Sequence, residues 1–313
     1  MNIAITGGTG FIGTNLSIRL SENESNNIRV IDSKEDFYLP IKKQNKNNIS
    51  FYKSVFSTDT DFDSQVKNQD IVFHLASTNI PGTSNNRIPE ELMSNVVVTA
   101  CLLDACIRQH VKKVVFISSG GTVYGNPDNY PIVEDTVTCP ISSYGIQKLT
   151  IEKMLYMYRY QYGLDYRIIR LANPYGPYQR PNGVLGVVTT FIYRALTDGK
   201  LLVYGDGTVI RDFIFISDAI DGILKVSNGE NEQRVFNLGS GKGTSVNEVI
   251  SAIRETINHD LTVQYIEGRP VDVPINYLDI RRYENLYGRL NRVDLYEGIM
   301  RTAEFLKKEY KID

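Results

Sequence analysis

The chain begins with a short apolar strand, Asn2–Thr6, that runs directly into Gly7-Gly8-Thr9-Gly10-Phe11-Ile12-Gly13. An amphipathic pattern over Ile12–Leu20 follows at once. Strand, glycine-rich turn and helix in that order severely limit what the chain can become. Glycines let the backbone turn tightly and approach a pyrophosphate closely. A helix opening near Phe11 aims its unpaired N–H groups and its positive dipole end at the same phosphates. The spacing Gly7…Gly10…Gly13 is a variant of the dinucleotide fingerprint, in the context that the fingerprint requires. A second strand, Ile28–Ile31, leads into Asp32. A carboxylate about 20 residues after the glycines accepts hydrogen bonds from a ribose 2′-OH. The same charge repels a 2′-phosphate, so the sequence favours NAD over NADP, and Lys34 is too weak a counterweight to reverse this.

The strand and helix signals keep alternating. Further strands are expected at Ile49–Lys53, Ile71–Leu75, Val114–Ile117 and Tyr166–Leu171. Helices are expected at Ser94–Arg108 and from Tyr144 to Tyr162. Short all-apolar strands separated by amphipathic helices imply an α/β fold with a doubly wound parallel sheet, covered on both faces. After Asn173 the texture changes: Pro174, Pro177 and Pro181 cluster among Gly and Tyr, which reads as a long loop. A helix at Val187–Thr197, an apolar run at Phe213–Ile216 and a helix at Ser245–Ile257 follow. The expected division is a dinucleotide-binding domain of residues 1–173 with a returning segment at about 211–239, and a smaller substrate-binding domain of 174–210 and 240–313.

The bulk composition adds exclusions. A formal net charge of −2 over 313 residues offers no basic surface for nucleic acid. The N-terminus carries no secretory pattern, and no apolar run is long enough to span a bilayer, so a cytoplasmic protein is expected. Cys101, Cys106 and Cys139 are odd in number and lack metal-ligand spacing, and the three histidines are scattered. Reduced thiols and no metal site are expected.

The segment Ser143-Tyr144-Gly145-Ile146-Gln147-Lys148 places Tyr144 and Lys148 four residues apart, on one face of a helix. An ammonium beside a phenol favours the phenolate, so the Tyr144 pKa is expected to fall from its usual ~10 toward neutrality. A tyrosine tuned in this way can take a proton from a sugar hydroxyl.

With these residues in place, the sequence resembles the extended short-chain dehydrogenase/reductases, specifically the NAD-dependent nucleotide-sugar epimerase/dehydratase group. TGGTGFIG, VFHLAS, SSGGTVYG, YGIQK, RLANPYGP, GDGTVIRDFIFISD and VFNLGSG carry the likeness along essentially the whole chain. The resemblance implies Tyr144 as base, with Lys148 also holding the nicotinamide ribose. It places Gly7, Gly10, Phe11, Ile12, Gly13 and Asp32, together with Leu75, Ala76 and Ser77, along NAD, and Asn95 behind them; His74 is structural. It assigns a UDP- or dTDP-linked sugar to the second part. Asn173 would contact phosphates and sugar, Arg211 and Arg269 would clamp the diphosphate, Asp272 would accept the nucleoside ribose hydroxyls, and Val187 would lie under the base. Guanidinium forks suit phosphate oxygens on chemical grounds as well. Asn276 would line the sugar C2 side, where a residue smaller than tyrosine admits an N-acetyl group. A homodimer built on two helices per subunit, Ser94–Arg108 and the one after Tyr144, is also implied.

The stretch ISSGGTVYG, Ile117–Gly125, separates the reactions of the group. Dehydratases resemble one another in an Asp-Glu pair where this chain has Gly121 and Thr122, and uronate decarboxylases place Glu at the Thr122 position. Without these acids, the expected reaction is 4-epimerization: C4 is oxidised to a transient keto sugar and the hydride is returned to the opposite face. An NAD(P)H-dependent reductase of a nucleotide-linked 4-keto-6-deoxysugar is the alternative, and a non-catalytic sensor a remote one. Related epimerases carry a Ser or Thr at Gly120 that bonds the sugar O4. Continued strand alternation would put Thr122 on the side of Gly120, so Thr122 is the expected substitute, with Ser119 behind it.

Overall fold

A computed structural model describes residues 1–181, 186–257, 260–268 and 273–312. Its strands are β1 (Asn2–Thr6), β2 (Asn27–Asp32), β3 (Ile49–Lys53), β4 (Ile71–His74), β5 (Lys113–Ser119), β6 (Asp165–Leu171), β7 (Asn173–Tyr175), β8 (Lys200–Tyr204), β9 (Ile210–Phe215), β10 (Val235–Leu238), β11 (Gly243–Ser245), β12 (Thr262–Ile266) and β13 (Ile275–Asn276). Its α-helices are α1 (Phe11–Ser21), α2 (Leu39–Lys42), α3 (Phe62–Val66), α4 (Ile88–Leu92), α5 (Val98–Arg108), α6 (Ser143–Tyr162), α7 (Val187–Thr197), α8 (Ile216–Asn228), α9 (Val246–Ile257), α10 (Arg281–Tyr287) and α11 (Leu295–Tyr310).

Seven strands form a parallel sheet in the order β10-β6-β5-β4-β1-β2-β3. The inner strands are largely buried on both faces, which fits their apolar character, while the edge strand β3 is half-buried or exposed along its length. On one face, Leu16 and Leu20 of α1, Ile220 and Ile223 of α8 and Tyr283 of α10 pack with Ile3, Ile5 and Val115. On the other, Leu102 and Leu103 of α5 and Ile151 and Leu155 of α6 pack with Ala4, Val72 and Phe116. The winding direction reverses between β1 and β4, and ligands of such sheets bind beyond the strand ends at that reversal.

A third core joins Phe191 and Ile192 of α7, Ile250 and Ile253 of α9 and Ile299 and Leu306 of α11. It packs against β8 and β9, through Leu201, Val203 and Phe213. Within the segment of about 211–239, β9 pairs with β7, β11 and β13, while its Ile214 packs in the first core with α8 and β10. Helix α10, expected in the second domain, contributes Tyr283 to the first core, together with Leu278 and Ile280 just before it. Among the described residues no helix is long and apolar enough to cross a membrane, and no cluster of His, Cys, Asp or Glu is arranged to hold a metal.

Candidate active site

The turn after β1 lies at the reversal point. Gly7 has φ +69°, and a Cβ there would sit 2.7 Å from the backbone nitrogen of Ala76. A Cβ on Gly13 would sit 2.6 Å from the Gly7 carbonyl oxygen. These two glycines therefore hold the turn against the β4 exit and against α1. Gly10 caps α1 without any side-chain hydrogen bond, which leaves the first amides of Phe11 and Ile12 unmasked by a protein cap. Asp32 accepts hydrogen bonds from the Thr9 and Lys34 backbone amides, each at 3.1 Å. A carboxylate has about four acceptor positions, so capacity for a ribose diol remains. Leu75 and Ala76 line the β4 exit half-buried, and the exposed Ser77 bonds back to the Asn79 carbonyl at 2.9 Å. This cradle fits the pyrophosphate and adenosine ribose of NAD.

Helix α6 starts beside that cradle. Ser142 accepts from the Gly145 amide at 3.2 Å, and Asn85 accepts from the Ser143 amide at 2.7 Å. A Cβ on Gly145 would lie 2.7 Å from the Thr122 carbonyl, so this glycine lets the helix rest directly on the ISSGGTVYG turn. The Lys148 ammonium donates to the Ile117 carbonyl at 3.1 Å and lies 5.4 Å from the centroid of the Tyr144 ring. Burial lowers the Lys148 pKa to about 8. Burial also pushes the Tyr144 phenol up to about 12. The expected downward shift is thus absent from the protein alone, because desolvation disfavours the phenolate and Lys148 is directed at a carbonyl rather than at the phenol oxygen. His74 bridges Thr6 (2.8 Å) and Thr99 (2.9 Å), and burial holds it neutral with a pKa of about 3.

The turn itself corrects the alternation argument. Strand β5 ends at Ser119, and the Thr122 and Val123 amides fold back onto the Ser119 carbonyl at 3.3 and 3.2 Å. Thr122 nevertheless stands out on other grounds: its Oγ1 is buried with no hydrogen-bond partner. Such an atom is costly unless a ligand completes it. Ser119 is partly exposed. The missing side chain at Gly120 has a steric cause, since a Cβ there would meet Leu278 Cδ1 at 2.5 Å and the Arg170 carbonyl at 3.1 Å.

On the substrate side, Asn173 donates to the Asp212 carbonyl at 3.0 Å, and Arg211 donates to the Val273 carbonyl at 2.7 Å. Val187 begins α7 behind Gly186, which has φ +79°. Asn276 pairs with Arg211 in the β13–β9 register and is fully buried. Its Nδ2 donates to the Gly120 carbonyl at 3.1 Å, and its Oδ1 has no partner. Asn276 thus ties β13 to the turn at Gly120. Arg269 and Asp272 lie outside the described residues.

Two buried networks escaped the sequence reading. A π turn, Met93–Val97, turns Asn95 inward. Asn95 accepts from the Thr78 amide and donates to Gln147 Oε1, both at 2.8 Å. Glu91 accepts from Ser143 Oγ (2.6 Å) and Gln147 Nε2 (3.1 Å). The loop after β4 is thereby tied to the first turn of α6. Behind Lys148, Glu152 receives Arg170 at 2.7 Å and Ser118 Oγ at 2.5 Å. The position of Glu152, four residues after Lys148, was the one available signal for this pair.

A glycine-rich turn, a carboxylate at the end of the second strand and a helix carrying Tyr144 and the buried Lys148, at the reversal of a parallel sheet, define a dinucleotide-dependent site of the short-chain dehydrogenase type. Comparison with known proteins narrows this. A family model described as the NAD dependent epimerase/dehydratase family matches residues 3–239. A putative UDP-glucose 4-epimerase of Methanocaldococcus jannaschii is 34% identical over 311 residues, 97% of this chain and 98% of that protein. The UDP-glucose 4-epimerase of Thermotoga maritima, solved with UDP-glucose, superposes with a TM-score of 0.91 at 32% identity, covering 99% of this chain and 100% of that one. A UDP-glucuronic acid 4-epimerase of Bacillus cereus, solved with its UDP-sugar and NAD, gives 0.90 at 26% identity, covering 99% and 100%. The chain belongs to the NAD-dependent epimerase/dehydratase family.

Proposed function

We propose that this protein is an NAD-dependent nucleotide-sugar 4-epimerase acting on a UDP-hexose or UDP-N-acetylhexosamine. One observation carries the reading: the helix that bears Tyr144 and Lys148 rests on a turn that holds a hydroxyl, Thr122, and no carboxylate. Proton abstraction from the C4 hydroxyl is therefore supported, whereas removal of a C5 proton with loss of the C6 hydroxyl is not. The family and the 4-epimerases among its relatives point the same way.

The residue roles follow. NAD bound in the cradle supplies the hydride acceptor and donor at C4. Tyr144 takes and returns the O4 proton, and Lys148 holds the nicotinamide ribose. Thr122 Oγ1 bonds O4, with Ser119 as the neighbouring alternative. Gly7, Gly10, Phe11, Ile12 and Gly13 hold the pyrophosphate, Asp32 the adenosine ribose, and Leu75, Ala76, Ser77 and Asn95 the wall beneath. Asn173, Arg211 and Arg269 grip the diphosphate, with Asp272 on the nucleoside ribose and Val187 under the base. Anchoring at the diphosphate leaves the keto sugar free to rotate.

We further propose a homodimer. Ile146, Tyr156, Met157 and Tyr160 expose one side of α6, and Met93 and Val97 are exposed on the neighbouring π turn. A self-complementary patch of this kind suits a two-fold helix bundle. The decisive assay for the activity is incubation of purified protein with UDP-glucose and UDP-N-acetylglucosamine, without added cofactor, with products resolved by NMR. Interconversion of C4 epimers is expected. Absence of interconversion, together with stoichiometric NADH oxidation by a dTDP-4-keto-6-deoxysugar, would establish the reductase instead.

A further inference from the structure

The segment that leaves β7 belongs to the substrate side, yet it crosses back over the glycine-rich turn. Asn15 of α1 donates to the Pro177 carbonyl at 3.1 Å. Gln179 donates to the Pro174 carbonyl at 3.2 Å and accepts from Thr189 of α7. The Tyr178 ring packs on Phe305 of α11 with centroids 4.8 Å apart. From this pinned strap the Arg180 guanidinium reaches the Thr9 carbonyl at 3.2 Å, and its central carbon lies 3.4 Å from the Phe37 ring centroid.

We propose that Arg180 is a cofactor-site residue, closing the adenosine end of the dinucleotide site from the substrate side. The inference rests on the NAD reading above. The Thr9 backbone is held on both sides of its Cα, its N–H by Asp32 and its carbonyl by Arg180. The carboxylate that reads the ribose and the cation from the strap thus share one residue of the phosphate turn. In sheets of this kind the adenine lies beyond the end of the second strand, next to the ribose-reading carboxylate. Phe37 stands on the segment that follows that strand. A guanidinium held over an aromatic ring there presents a positively charged wall. It is also half-buried and within the field of Asp32. Retention of the dinucleotide is then linked to the ordering of a segment that also contacts the substrate-side helices α7 and α11.

The test uses the intact protein stripped of dinucleotide. NADH binding is followed by nicotinamide fluorescence, UDP binding by calorimetry and folding by thermal denaturation, for wild type, Arg180→Ala, Arg180→Lys and Phe37→Ala. The expected result is at least tenfold weaker NADH binding in Arg180→Ala, a smaller loss in Arg180→Lys, and UDP affinity within twofold of wild type. Phe37→Ala should weaken NADH binding less when Arg180 is already replaced, because the two side chains act as one wall. NADH affinity unchanged in Arg180→Ala, with a lowered melting temperature, would overturn the proposal and make Arg180 a strap between domains only. Should Arg180→Ala fail to fold, unchanged affinity in Arg180→Lys and Phe37→Ala would overturn it equally. Wild-type protein that binds no NADH would instead overturn the dinucleotide reading on which the proposal stands.

Discussion

Replacing Gly120 with Ala asks whether this position could ever carry a hydroxyl for the sugar. The new Cβ would meet Leu278 Cδ1 at 2.5 Å, Cδ2 at 3.0 Å and the Arg170 carbonyl at 3.1 Å. Leu278 has nowhere easy to go. It is fully buried, its amide is bound to Asp212, and its backbone bridges to Ile132. Overpacking of this kind costs about 1–3 kcal/mol. Gly120 is not among the glycines with positive φ, so alanine recovers roughly 0.4–1 kcal/mol through the unfolded chain. The net expectation is a loss of about 1–2 kcal/mol in urea denaturation. Leu278→Ala opens a cavity at its own cost of about 2–5 kcal/mol. In that background Gly120→Ala should become neutral or stabilising, which gives a coupling of ~1–2 kcal/mol. Equal stability of Gly120→Ala and wild type in both backgrounds would refute the steric argument. So would recovery of turnover when Gly120→Ser is added to Thr122→Val, since that serine would then point into the site and not at Leu278.

Other perturbations probe the site separately. Thr122→Val should lower kcat by roughly 10–100-fold, the worth of a hydrogen bond to a charged or developing oxyanion; near-normal rates would shift the role to Ser119. The difference in 295 nm absorbance between wild type and Tyr144→Phe, both free of dinucleotide, should show no phenolate up to pH 10, because burial holds this phenol at about 12; a signal near pH 7 would contradict that. His74 is depressed to about 3 from 6.5, so the unfolded chain binds its proton first. Its contribution is whole above pH 6.5 and is lost as pH falls towards 3, about 2–3 kcal/mol at pH 4.5; His74→Asn should flatten the stability curve across that window. Tyr156→Glu combined with Tyr160→Glu should halve the mass seen by light scattering, and a wild type already monomeric at micromolar concentration would dismiss the dimer.

What the sequence revealed of this site was local. Gly7, Gly10, Gly13 and Asp32 could be read because one turn and one strand end bring them together. Tyr144 and Lys148 could be read because helical spacing alone puts them on one face. Six of the seven strands of the main sheet were legible for the same reason, each being a short run rich in apolar and aromatic residues, whereas β10 was not read as a strand. What stayed hidden depends on contacts between distant parts of the chain. The reason for glycine at 120 is Leu278, and the support beneath it is Asn276, 156 residues away. The pairing of β9 is decided by partners on β7, β11 and β13, none of which its apolar pattern names. The direction of the Tyr144 shift depends on how much water the surrounding fold removes, which no spacing of residues expresses.

The last strand of the main sheet carries a consequence for how the chain is made. β6 is complete at Leu171, but its outer neighbour, β10, begins only at Val235. As the ribosome extends the chain, the amides and carbonyls of Ile168–Leu171 must wait, on an apolar strand, while β7, α7, β8 and β9 are synthesised. A bare edge of that sort invites pairing with a neighbouring nascent chain. A fragment ended after Leu171 would keep that edge for good. The dinucleotide half is thus not a module that can be cut free of its partner: its sheet is finished by residues that arrive only after much of the other half has been made.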